Sequence, residues 1–165
     1  MLGLTELGII HTAISLVALA AGTIALASDK KIVWTNILGK IYVITTALTA
    51  ATALGIYQHG GFGVPHILSI LTLLLLFVAR FGAKHTTLFG KFTPYVVVVA
   101  YTVTYLFHLV AGITETTTRL PVGAPWASSA DDLHLKIVLG VVFLLFVLVA
   151  SLQVLALRAT LHNKE

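Results

Sequence analysis

Seven histidines stand in a chain of 165 residues that is 58% hydrophobic and only 10% charged. They are the residues with the most chemistry to offer. Imidazole takes up and releases protons near neutrality, and it is a common nitrogen ligand for haem iron, zinc and copper. His11 and His108 fall inside long apolar runs, where an ionisable side chain is costly unless it meets a partner or a cavity. His59, His66 and His134 stand near the ends of such runs, whereas His85 and His162 lie in polar segments that read as ordinary surface.

Several chemistries follow from these residue types. Two imidazoles from different helices suit the axial positions of haem b, and a chain without cysteine excludes covalent haem attachment, disulfides and thiolate metal sites. In that reading His11 and His108 are the axial ligands. Gly8, three residues before His11, and Gly112, four after His108, make room for the flat ring, while Arg119 or Lys136 reaches its propionates. His66 and His134 would form a second, shallower pair. A second reading is a zinc or copper site of three histidines, with Asp131, Asp132 or Glu115 as a carboxylate base or ligand for hydrolysis, although no HExxH spacing is present. A third is a proton or quinone path through His11, His108, Tyr101, Tyr105 and Glu115. Tyr101, Tyr105, His108 and Glu115 follow at helical spacing and share one helix face. The plain alternative is a structural or assembly subunit without a cofactor.

What must position these residues is a membrane bundle. Soluble domains carry about 25% charged residues, and the mean hydropathy of +1.02 leaves too little polar surface to face water. A helix needs about 20 mostly apolar residues to cross the hydrocarbon core. Five stretches qualify: Leu4 to Ala27, Ile32 to Tyr57, Pro65 to Phe81, Pro94 to Thr114 and Leu133 to Leu157. Backbone groups in lipid must be satisfied internally, so the spans are helices. The expected fold is an all-α, polytopic transmembrane bundle of about five helices forming one domain. Ala25-Leu26-Ala27 resembles a signal-peptidase site, but no Lys or Arg precedes the apolar run, which favours a retained first span.

Charge orients the bundle. Lys30, Lys31, Lys40, Arg80, Lys84, Lys91, Arg158 and Lys164 fall on one side of the expected spans, and only Arg119 and Lys136 on the other. The positive-inside rule then places the N-terminus outside and the C-terminus in the cytoplasm, in a cytoplasmic (inner) membrane. The five histidines His11, His59, His66, His108 and His134 gather toward the outer face, with His11 and His108 at one common depth. The net charge of +4 is spread along the chain and reads as membrane topology, so no nucleic-acid partner is expected.

Other stripes read as packing. Thr45, Thr49 and Thr52 follow Tyr42 along the second span, and Ala18, Ala21, Gly22 and Ala25 give the first a close-packing face. The third and fifth spans, apolar all round, are expected to meet lipid or a partner subunit, which leaves room for a homo-oligomer. The segment from Thr116 to Asp132, with Pro121, Pro125 and Trp126, reads as an ordered connector and a candidate lid. Phosphate-loop, nucleophile-elbow and dinucleotide motifs are absent.

The stretches Asn36-Ile-Leu-Gly-Lys-Ile-Tyr42 and Val64-Pro-His-Ile-Leu-Ser69, with the fourth span, resemble a family of small bacterial predicted membrane proteins of unknown function. His66 matches that family's pattern. Thr35 and Asn36 stand near the place of its His-Arg pair, so no role of that histidine carries over. The plan of few helices with facing histidines is also similar, in architecture only, to small b-type cytochrome membrane subunits. That likeness implies haem b, electron transfer and a redox partner or quinone in the membrane.

Overall fold

The structure, a computed structural model, describes residues 5–57 and 61–162. Among them are five α-helices, α1 (Glu6–Asp29), α2 (Ile37–Ala53), α3 (Val64–Lys84), α4 (Thr93–Arg119) and α5 (Leu133–His162), with a short 3-10 turn before α4. The described residues contain no strand. Four of the helices are long and apolar enough to cross a membrane, and α2 is a shorter apolar helix. The chain is a helical membrane protein.

The second span starts later than its hydropathy suggests because Asn36 caps it. The Asn36 side chain accepts from the Gly39 amide (2.8 Å) and donates to Asp29 at the end of α1 (2.7 Å). The chain before Asn36 doubles back so tightly that a Cβ on Gly39 would sit 1.7 Å from the Val33 carbonyl oxygen. At 17 residues, α2 is about 25 Å long. Two helices run five residues past their expected ends. α4 continues to Arg119, with the Thr117 and Thr118 hydroxyls donating back to Ile113 and Thr114 carbonyls. α5 continues to His162.

Helices α1 to α4 close a ring in which each packs on the next and α4 returns to α1, while α5 packs on α4. The diagonal pair, α2 and α4, does not meet backbone to backbone; side chains bridge it. On α1 the small residues Ala18, Ala21, Gly22 and Ala25 face inward. Close approach is needed there: a Cβ on Gly22 would lie 2.7 Å from the Tyr105 ring and 2.9 Å from the Tyr42 ring. The third span is not uniform as its composition suggested. It turns His66, Ser69, Thr72, Leu76 and Ala79 inward, a stripe spaced by three and four that only the ring gives a direction. α5 buries only Leu135 and Gln153 along its length.

Candidate functional site

The bundle centre is polar. Tyr42, Thr46 and Thr49 of α2 point into it with Tyr101, Thr104 and His108 of α4, and all six are buried. Along α2, successive turns each engage a neighbour. The hydroxyls of Tyr42 and Thr104 are 2.8 Å apart, and His108 Nε2 lies 3.0 Å from Thr46 Oγ1. His11 Nδ1 lies 3.1 Å from both the Thr49 carbonyl oxygen and Thr52 Oγ1. Nearer the other end of the ring, Tyr105 and Thr23 share a 2.6 Å hydroxyl contact. Buried hydroxyls and imidazoles of this kind hold their place because an unpaired polar group inside a membrane costs several kcal/mol (~1–3 in proteins generally).

Both deep imidazoles thus turn inward onto the same helix, each through one ring nitrogen. They are staggered, not level. His11 is five residues inside the start of α1, about 8 Å, whereas His108 is eleven inside the end of α4, about 16 Å. Their partners on α2 show the offset, Thr46 for His108 against the Thr49 carbonyl and Thr52 for His11. Gly8 and Gly112 do not form two walls of one slot. The Gly8 backbone belongs to the α1 cap, donating to Thr5 Oγ1 and accepting from Thr12 Oγ1. Gly112 faces Leu19 of α1, whose Cδ1 would be 3.7 Å from a Cβ placed there.

The shallower histidines have separate surroundings. His66 is buried at the start of α3, stacked against Tyr57 and Phe62 with ring centroids 4.8 and 5.1 Å away. Its Nδ1 accepts from the Gly63 amide (3.2 Å), and its buried Nε2 meets no hydrogen-bond partner among the described residues. His134 is exposed and rests on Asp132, 3.3 Å away, beside Trp126. The two belong to helices that share no substantial contact, since α4 is the neighbour of both. His59 lies outside the described residues.

The cations proposed for propionates are engaged with acids. Arg119 pairs with Glu115 at 2.6 Å and Lys136 with Asp131 at 2.8 Å. Among the described residues no three His, Cys, Asp or Glu side chains are grouped to hold a metal ion, so the three-histidine zinc or copper site has no cluster to rest on. The connector after α4 is ordered. The amides of Trp126 and Ala127 donate to Leu120 and Thr117 carbonyls, and Asp132 accepts from Ser128 and His134 amides. Those amide bonds, Ser128 first, pull the Asp132 carboxyl down to about 2.

Sequence reasoning found His11, His108 and Tyr101, and the Thr52 that His11 meets, but missed Thr46, the partner of His108. Thr46, not Thr45, completes the inward stripe with Tyr42 and Thr49, and the signal was the i, i+4 spacing of Tyr42 and Thr46. Gln153 was also overlooked. It is the lone amide side chain in the fifth apolar run, and it ties three helices together. Its Oε1 accepts from Thr102 (2.8 Å) and its Nε2 donates to the Lys30 carbonyl (2.9 Å).

Compared with family models, curated protein sequences and solved structures, the chain matches none of them. The motif residues quoted above nevertheless have local physical reasons: Asn36 caps α2, Gly39 permits the tight turn, Tyr42 fills the core, and His66 caps α3.

Proposed function

We propose that the protein is a multi-pass component of the cytoplasmic membrane, N-terminus outside, whose α2–α4 diagonal carries protons across the bilayer for a membrane redox partner such as a quinone. The observation that supports it most is the succession of hydrogen-bonded pairs along α2, from His11 at Thr52 through His108 at Thr46 to Tyr42 at Thr104. Imidazole can accept a proton at one nitrogen and release one at the other, and hydroxyls rotate to donate or accept. Thr49, between the two imidazoles on α2, has a buried hydroxyl with no hydrogen-bond partner among the described residues, a polar atom that a migrating water or a quinone carbonyl would satisfy.

A second reading, haem b held by His11 and His108 for electron transfer, is favoured by the inward aim of both rings, each using a single nitrogen on α2. As packed, the residues do not fit a porphyrin. Leu19 stands in front of Gly112, and His108 Nε2 is engaged by Thr46. Haem binding through Nε2 therefore requires α1 and α4 to part and the His108 imidazole to leave Thr46.

One purified preparation separates these readings. Proteoliposomes holding the protein and an entrapped pH dye should acidify or alkalise under an imposed potential, and His108→Phe should abolish that flux. Flux unchanged in His108→Phe sinks the proton pathway. A Soret band that shifts on reduction and is lost in His11→Ala and His108→Ala supports haem instead. A colourless, proton-tight protein leaves the structural-subunit alternative. Because the chain has no cysteine, single cysteines placed at Ser28 and Ser129 report the orientation directly by their access to an impermeant thiol reagent.

A further inference from the structure

At the end of the bundle where α1 finishes, α1, α4 and α5 diverge around a cleft of about 540 Å³. Its walls are apolar, formed by side chains such as Leu26, Val98, Leu152 and Ala156. Gln153 lines it too, held in place between Thr102 and the Lys30 carbonyl. The cleft follows α5 from Val149 to Thr160, about 16 Å. Lys30 and Lys31 stand among its lining residues. Lys30 spends one of its three ammonium protons on the Ala27 carbonyl (2.6 Å). Asp29 also lines the cleft; its carboxylate accepts from the Asn36 amide (2.7 Å) and keeps its charge, which leaves the two lysines one positive charge in excess.

An apolar slot with cations at the end of a transmembrane helix has the two-part chemistry of an anionic amphiphile. We infer that this cleft binds an anionic phospholipid, one acyl chain lying along α5 and the phosphate held by Lys30 and Lys31. Its volume lies within the range of ligand sites, roughly 300–1,000 Å³, and its charged residues stand where a spanning helix leaves the hydrocarbon core. A neutral amphiphile would fill the walls but leave the lysine pair unmatched. A soluble phosphate would match the lysines but leave the walls against water. The site is independent of the α2–α4 diagonal and stands or falls apart from the proton reading.

Native mass spectrometry of the whole protein, offered phosphatidylglycerol or phosphatidylcholine of the same chains, tests it. The expected result is preferential retention of phosphatidylglycerol. Lys30→Asn with Lys31→Gln should reduce that preference about fivefold for each lysine; asparagine is chosen because Lys30 has φ 61° and asparagine tolerates the left-handed region well. Ala156→Trp, at an exposed position of α5, should fill the slot and lower retention of both lipids. Lys40→Gln, a lysine that does not line the cleft, should leave the preference intact. An unchanged preference in the double variant, an equal loss in Lys40→Gln, or displacement of the lipid by excess glycerol phosphate overturns the proposal.

Discussion

The four-helix ring and α5 are both built from apolar sequence, α5 from the more apolar, yet they bury it differently. Of the apolar stretch within Gly90–Arg119, 39% of residues are buried, against 6% for that of α5. The ring gains its cohesion from small and polar residues: alanines and a glycine on α1, hydroxyls on α2, and tyrosines and a histidine on α4. Helix α5 carries large aliphatic side chains outward and is tied in chiefly by Leu135 and Gln153. Where lipid is the solvent, apolar surface gains nothing by leaving it, so close packing and hydrogen bonds decide which helices associate. The more hydrophobic helix is therefore the less buried one.

That contrast can be broken at matched positions. Gly39→Ala should cost about 3 kcal/mol or more in detergent unfolding, because the new Cβ meets backbone. Gly140→Ala on α5, where nothing lies within 4 Å of a Cβ, should be neutral or up to ~1 kcal/mol stabilising through helix propensity. Equal effects at the two glycines would erase the distinction between ring and outlying helix. His108→Ala should cost about 2 kcal/mol by stranding Thr46, whereas His134→Ala, at an exposed imidazole, should stay within about 0.5 kcal/mol. Gln153→Leu should cost about 1 kcal/mol, and should raise hydrogen exchange at the start of α5 less than at its Lys30 contact. A uniform rise along α5 would show that the helix is anchored elsewhere.

The smallest effect concerns the loop after α4. Asp132 is held down to about 2 from an ordinary 3.8. A carboxyl lowered on folding contributes stability that is present above its unfolded value and lost as pH falls through its folded one. The connector should thus keep its order at pH 5 and loosen between pH 4 and 2, read from Trp126 fluorescence; Asp132→Asn should loosen it already at pH 5. Fluorescence of the native chain that stays flat down to pH 2 would sever the link between Asp132 and the loop.

Much of the helical plan was legible in composition. Apolar runs long enough to span lipid mark α1, α3, α4 and α5 because backbone hydrogen bonding in hydrocarbon leaves few other choices. The end of a run is less legible. Asn36 and Gly39 cut α2 short through a cap and a tight turn, and a run of threonines carries α4 on through bonds to its own carbonyls. These are local hydrogen bonds, which hydropathy does not register.

By itself the sequence determined that this is a helical membrane protein and that His11 and His108 lie deep within helices, because the cost of exposing apolar residues to water and imidazole to lipid depends on residue type alone. Only the tertiary structure decided which way those imidazoles face. The closure of α1 to α4 into a ring brings both onto α2, sets them at different heights, and makes Thr46 and Thr52 their partners. Hydrogen bonds depend on the relative rotation and height of packed helices, and those quantities exist only once the helices are packed.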